Sequence, residues 1–562
     1  RSRGQAVSVN TTGKEHYYYH EDYQPPEWKK SSAVAAFKLA RNAQHKLHFK
    51  LYFIILILTL IFIAALIPWY YTFPGISVDT ARTTGSSVVQ GLHQLAVMIT
   101  TFIALAIPLT ANFYTPRLVD IFLKDRANIC FLTTFGVLSA SSVFVNSYLW
   151  STSVPIIPYS IIVVASIFGW VLIIPYYYYV MRFLDPSVIV DRVADLLVEE
   201  IKNTVKQRYP PAICRKRLND CILQLGDIGF RSIDRRDSRT AISCIQAQCF
   251  ALDIWREQKS KINSHFFHVE VSEFPMLSKS GLSWLSHSSL WVEEQMVRQL
   301  QKSFSAALNG MPSVISYISL SLKEQCLPLM NNHHHDRLNL ELYIRFMNTF
   351  MREAINASNL KALFNLFYQY CSLVKDICKF CPDLLVRCVK YFTEYGRLCH
   401  DKGLDVAVQI NYYDLGNLCG YVYRVNSEHA DEVLNIFLNA SKKTGTVMRL
   451  EKRGMVHSRI ILGSFLLYLK ELLGRSLEEP IEKIITSLTP FSKEMIDNAT
   501  LSIMETTEEI FWEITDRIVN FDHVPPQQRP YVLKIKELVS AKKAEIAEPD
   551  DEYLVGSISG RW

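Results

Sequence analysis

Four long apolar runs in the first third of the chain set its expected architecture. They cover residues 51–68, 88–109, 129–149 and 156–180. The first carries almost no polar side chain except Thr59. At 1.5 Å rise per residue, about 18 residues just cross a hydrocarbon layer of about 30 Å. Trp69, Tyr70 and Tyr71 follow it, where aromatic side chains collect at headgroup depth. The second run contains His93, Gln94, Thr100 and Thr101. Polar groups in hydrocarbon need partners, so this helix is expected to face other protein or a wet cavity. Pro108 is expected to kink or end it. The third run is rich in Ser and Thr, with Gly136 and Ala140, small residues that let helix backbones approach closely. Pro175 is expected to kink the fourth, and Tyr176 to Tyr179 to form an inner aromatic belt.

Between the second and third runs lies a short polar hinge, Thr110 to Asn128. It holds Pro116, Arg117, Asp125 and Arg126, the candidate residues for coupling the membrane part to the rest. Basic residues here suit lipid phosphate, a partner on the soluble part, or a gate coupling the spans to it, but positive-side anchoring and a proline-initiated helix are the simpler reading. Charge gives the threading. Lys29, Lys30, Lys38, Arg41, Lys46 and Lys50 precede the first run, loop 69–87 has only Arg82, and the hinge has Arg117, Lys124 and Arg126. Turn 150–155 has none, and Arg182 follows the fourth run. Both ends and the hinge are therefore expected on the cytoplasmic side of an inner membrane, in a multi-pass topology. The first run starts well into the chain and leads into further ones, which reads as a span and not a cleaved leader.

After residue 182 the pattern changes to amphipathic helices separated by Pro, Gly and Asn breaks. Residues 187–208 carry an apolar stripe: Val188, Val190, Val193, Leu196, Leu197, Ile201 and Val205. Two further helical stretches lie within 216–257, split by a charged break. Later helices are expected near 290–308, 336–356, 358–378, 383–400, 426–440, 453–473, 478–487, 492–519 and 528–546. The alternation in FFHVEVSEF, within 261–285, suggests a short strand. The fold class is mainly α: a four-span transmembrane bundle followed by a large cytoplasmic helical domain. A polar arm occupies 1–32, an interfacial helix and the spans 33–182, the cytoplasmic domain 183–547 with a possible subdomain split near 260–290, and a tail 548–562.

Composition narrows the function. The chain has 562 residues and a net charge of +6, a modest surplus that membrane flanks produce on their own, so nucleic acid is not an expected partner. The twelve cysteines are irregularly spaced and suit free thiols. Cys378 and Cys381 form a Cys-x-x-Cys without a second half-site, and His333–His335 is expected in a loop. A buried thiol cluster and a polar loop are the simpler readings, and no metal or cofactor is expected. No phosphate-binding loop, HExxH or GxSxG motif occurs.

A charged junction stands out within Leu225–Gln246. Asp227 and Arg231 have helix-pair spacing, and Asp237 or Ser238 is placed to cap a helix starting near Thr240. Such a knot is most simply structural; the alternatives are recognition of an anion or of a partner subunit.

These residues also resemble a family. Pro116–Arg117 after the second run, Asp125–Arg126 before the third, Asp227–Ile228, and Asp237 with Thr240–Ala241 are similar to bacterial predicted membrane proteins of the domain-of-unknown-function 2254 family, over roughly 50–255. In place of that family's Ser-Pro-x-x-Asn-Asp-Pro run the chain has Ile-Asp-Arg-Arg-Asp-Ser-Arg at 233–239. The resemblance implies membrane topology, not an activity.

Three function classes follow. One is a structural or interaction subunit of an oligomer or larger membrane complex. The second is an oligomeric channel or conduit lined by the polar second span. The third, a membrane enzyme, rests only on scattered His, Cys and Asp. Expected partners are the lipid bilayer and further copies or other membrane subunits.

Overall fold

The computed structural model describes residues 78–547, apart from 114–117, 124, 149–155, 271–272, 275–276, 331–333, 426–427, 441–448, 512–516 and 518. The N-terminal arm, the interfacial helix, the apolar run 51–68 and the tail lie outside the described residues. The described chain is mainly α-helical. It divides between Ala307 and Leu308 into two units, a boundary that falls beyond the 260–290 stretch.

The first unit opens with α1 (Val78–Phe113), α2 (Leu118–Leu123), α3 (Arg126–Tyr148) and α4 (Ile156–Phe183). The three long helices pack on one another and carry the apolar runs that begin at 88, 129 and 156. Among the described residues one helical stretch, Arg82–Leu105, is long and apolar enough to cross a membrane; Asn128–Phe144 is a shorter apolar helix. Pro108 does not end α1, which runs on to Phe113. A proline removes only one i→i−4 bond and can be carried inside a helix when the bonds on either side remain; Pro108 is exposed and its neighbour Ile107 is buried.

Next come α5 (Pro186–Val205), α6 (Pro211–Asp234) and α7 (Ser238–Lys259). Asp185 caps α5 by accepting the Ser187 N–H, and Pro186 supplies a preset first turn. The buried face of α5 is Ile189, Val190, Val193, Ala194, Leu197 and Ile201. The expected stripe is therefore rotated slightly, with Leu196 exposed. Helices α6 and α7 pack on α5 and on each other, and α9 (Trp291–Ala307) packs on α6; α8 (Lys279–Ser288) precedes it. FFHVEVSEF forms no strand among its described residues: Ser264–Phe267 is a 3-10 turn. Phe266 and Phe267 are both buried against Trp255, and Phe266 also meets Trp291. Adjacent aromatic residues entering one core imitate alternation without being a strand.

The second unit comprises α10 (Pro312–Cys326), α11 (His334–Asn356), α12 (Leu360–Phe380), α13 (Leu385–Asp401), α14 (Asp405–Val425), α15 (Ala430–Ala440), α16 (Arg449–Leu473), α17 (Glu478–Leu488), α18 (Lys493–Glu505) and α19 (Arg529–Ala547). Its central helix is α14, which packs on α12, α13, α15 and α16. The hydrophobic pattern did not predict α14 because it is buried on most sides, polar positions Asn411 and Asp414 included. A helix without a polar face has no 3.6-residue signal. Asn411 donates to the Phe392 carbonyl at 3.1 Å, and Gly396 makes room for it: a Cβ there would lie 2.2 Å from Asn411 Oδ1.

The helix expected over 492–519 stops at Glu505. The described residues of 506–528 instead form an irregular strap, with Ile510 and Val519 in an antiparallel bridge. Two polar pins hold it. Arg517 forks onto the Asp414 carboxylate at 2.7 and 2.9 Å and also donates to the Phe364 carbonyl; both charged side chains are buried. Asp522 accepts from Tyr413 at 2.5 Å and Ser502 at 3.1 Å, and faces Arg453 and the buried His457.

Removing one member of a buried ion pair leaves an uncompensated charge. Arg517→Met is expected to cost about 3–5 kcal/mol, and the double variant Asp414→Leu/Arg517→Met to recover most of it, read as unfolding midpoints of purified protein. Burial lowers the His457 pKa below its ordinary 6.5, against the opposing pull of Asp522, and burial also lowers that of His523. The unfolded chain then binds protons more readily than the folded one. Stability from these residues is present above about pH 6.5 and is lost as pH falls through the lowered values. Thermal melts across that window should show a drop that His457→Gln reduces.

Candidate functional site

The site forms where α2 hands over to α3. The chain turns tightly here, with Asp125 N–H bonded to the Phe122 carbonyl at 3.2 Å. Asp125 is the residue just before α3, and its Oδ1 accepts the Asn128 N–H at 3.4 Å, in the manner of an N-cap. Asn128 is buried and returns a bond of 3.1 Å from its side-chain amide to the Phe122 carbonyl.

The same two residues reach other helices. Tyr176, in α4, donates to Asn128 Oδ1 at 2.7 Å, and its ring stacks on Phe131 with centroids 3.5 Å apart. Tyr179, one turn later, donates to Asp125 Oδ1 at 2.5 Å. Arg192, in the second turn of α5, donates to Asp125 Oδ2 at 2.8 Å and lies over the Phe183 ring at 4.4 Å. Phe122 meets Phe183 edge-on and closes the apolar side. The Asp125 carboxylate therefore joins α3, α4 and α5. Its partners are 54 and 67 residues away in sequence, and both charged side chains are only partly exposed, at 28% and 22%. Each carboxylate oxygen is engaged by a donor. What this geometry can do is fix the rotation of α5 against the ends of α3 and α4.

The other candidate positions are dispersed. Pro116 and Arg117 lie outside the described residues, and Arg126 is described only as the first residue of α3. His93, Gln94, Thr100 and Thr101 are all exposed along α1, beside exposed Val97, Met98 and Leu105, so none of the described residues encloses them. His93 Nδ1 bonds to the Val89 carbonyl of its own helix at 3.0 Å. Asp227 pairs with Lys302 of α9 at 2.8 Å. Asp237 caps α7 through the Thr240 N–H at 3.1 Å, and Thr240 is buried. Arg231 is half-buried near the end of α6. Among the described residues no group of three or more His, Cys, Asp or Glu converges as a metal site, and Cys378 and Cys381 are both buried.

Sequence reasoning named Asp125 and missed Asn128, Tyr176, Tyr179 and Arg192 as its associates. Two signals were available: the three-residue spacing of Tyr176 and Tyr179, which puts both hydroxyls on one helix face, and the matching spacing of Asp125 and Asn128.

No family model matches the chain, and no curated protein matches it. One solved structure, a circular tandem repeat protein with novel repeat topology and enhanced subunit contact surfaces, aligns at 14% identity over 65% of this chain and 98% of that chain. Its TM-score of 0.26 is too low to carry any argument about fold.

A double-mutant cycle tests the site. Asp125→Ala and Arg192→Ala are each expected to destabilise the first unit by about 1–3 kcal/mol, with a coupling of about 1–2 kcal/mol between them, since a charge-assisted bond is lost only once. Limited proteolysis and thermal melts of the four proteins would measure it; strict additivity would show that the pair does not couple α5 to α3.

Proposed function

We propose that this protein is a membrane-anchored structural or interaction subunit. In this reading the apolar helices, with the 51–68 run, form a four-span anchor in an inner membrane, both termini are cytoplasmic, and the helical remainder holds partner subunits. The resemblance to the domain-of-unknown-function 2254 membrane proteins belongs to the same proposal. The observation that carries it is the surface of α1, α3 and α4. Val97, Met98, Leu105, Leu132, Val137, Phe144 and Trp170 are all exposed there. Many large apolar side chains exposed on three neighbouring helices are expensive in water and ordinary in lipid. Several polar side chains on α1 and α3 return to their own backbone: His93 to Val89, Ser141 to Val137 and Ser142 to Ser139. Helix α4 carries no charged residue before Arg182.

The Asp125 site gives such an anchor a mechanical role. It ties the ends of α3 and α4 to α5, the first helix of the remainder, so a load on α5 is transmitted to the anchor through a charge-assisted bond and not through a flexible linker.

A second reading, an oligomeric conduit, is favoured by one observation: His93, Gln94, Thr100 and Thr101 face outward on α1. In lipid these groups gain by meeting a second copy, and several copies would line a polar path with them.

Membranes from cells expressing the full chain, washed in alkaline carbonate, are expected to retain the protein in the pellet, and protease added to the cytoplasmic side is expected to remove the second unit. Release into the supernatant would refute the anchor. Ion flux through vesicles containing purified protein, abolished by His93→Leu/Thr101→Leu, would favour the conduit.

A further inference from the structure

We infer that the arginine-rich turn between α6 and α7 docks on anionic lipid headgroups at the inner face of the bilayer. The inference rests on the membrane anchor proposed above and adds which lipid chemistry the protein engages and where.

Register carries the first part. Helices α5 and α6 are joined by the tight link 206–210 and pack side by side, so they run antiparallel. Arg217 of α6 pairs with Glu200 of α5 at 3.2 Å, and its guanidinium lies over Tyr209 in the link. Both helices rise equally per residue. Ser232, fifteen residues beyond Arg217, therefore stands level with Asp185, fifteen before Glu200. The α6–α7 hairpin agrees: a Cβ on Gly229 would lie 3.3 Å from that of Cys244, which centres the reversal near Arg236 and Asp237. The turn thus returns to the corner where α4 ends and α5 begins.

That corner has the features of a headgroup boundary. Tyr177, Tyr178 and Met181 are exposed on the last turns of α4, and Arg182 follows. The returning turn brings Arg231, Arg235, Arg236 and Arg239 to the same level, and all but Arg231 are exposed. Four aspartates stand at the same corner: Asp185 and Asp237 are committed to helix caps, Asp125 is paired with Arg192, and Asp234 is exposed. Arg231 and Arg235 make further interactions within the protein, which leaves Arg236 and Arg239 as the exposed cations of the turn followed below. An exposed aromatic collar beside a net positive rim matches the apolar-to-anionic transition of a leaflet surface. A protein partner would leave the collar unexplained. Guanidinium groups pair with lipid phosphate through charge-assisted bonds, and the attraction fades within about a Debye length, ~10 Å at 0.1 M salt.

The full chain is reconstituted into vesicles of phosphatidylcholine alone or with about a quarter phosphatidylglycerol, and arginine modification by phenylglyoxal is followed residue by residue by mass spectrometry. Arg236 and Arg239 are expected to react about fivefold more slowly in the anionic vesicles, the difference vanishing near 1 M salt, where the Debye length is ~3 Å. Arg208, exposed at the far end of α5 about 30 Å along the helix, serves as the reference. Equal rates in both vesicles for carbonate-resistant protein would overturn the docking and leave the anchor standing. Equal slowing at Arg208, or the same protection from inorganic phosphate with neutral vesicles, would overturn the assignment to lipid at this corner. Protein that washes off both vesicles would overturn the anchor and the docking together.

Discussion

A single carboxylate, Asp125, decides how the first unit is held together at its corner. It caps α3, accepts the Tyr179 hydroxyl from α4 and takes a guanidinium bond from Arg192 on α5. The Arg192 pair is partly sheltered, and aromatic rings lie against the guanidinium on one side. Water competes less for such a bond than for one on an open surface, so it holds geometry as well as contributing energy. Asn128 and Tyr176 repeat the arrangement one turn deeper with neutral groups. The relative rotation of three helices is thus set by directional bonds where apolar packing alone would allow sliding.

The second unit solves a similar problem with a strap instead of a cap. Helix α14 is surrounded, and two of its adjacent positions, Tyr413 and Asp414, reach the irregular segment 506–528. Arg517 and Asp522 on that segment supply the complementary groups. A non-helical segment packed on a helical core must satisfy its polar groups within the protein. Here side chains from α14, α16 and α18 take part in that role. The buried His457 sits against the same carboxylate, which links the packing of the strap to proton concentration.

The apolar exterior of α1, α3 and α4 and the fully wrapped core of the second unit are opposite uses of the same residue types. In the first case many apolar side chains, such as Val97, Leu105 and Phe144, are exposed; in the second most, such as Leu415, Leu418 and Val422, are buried. Hydropathy along the chain cannot distinguish the two, whereas the position of each side chain relative to its neighbours does. Short-range capping, as at Asp185 and Asp237, acts the same way in either setting.

The amino-acid sequence by itself determined the helical class and most helix limits, because amphipathic spacing and Pro, Gly and Asn breaks act locally. It also singled out Asp125 and the Asp237 junction, where charged residues stand at helix starts. Only the tertiary structure decided what Asp125 binds, since Tyr179 and Arg192 lie far along the chain and distance in sequence carries no signal for a side-chain bond. It alone revealed α14, whose polar residues are satisfied inside the core and so erase the amphipathic pattern. It alone ended α18 at Glu505, because the pins at Arg517 and Asp522 outweigh a local preference for continuing the helix. Local periodicity fixes what a segment can form; long-range polar partners fix which segments do so and how they are turned.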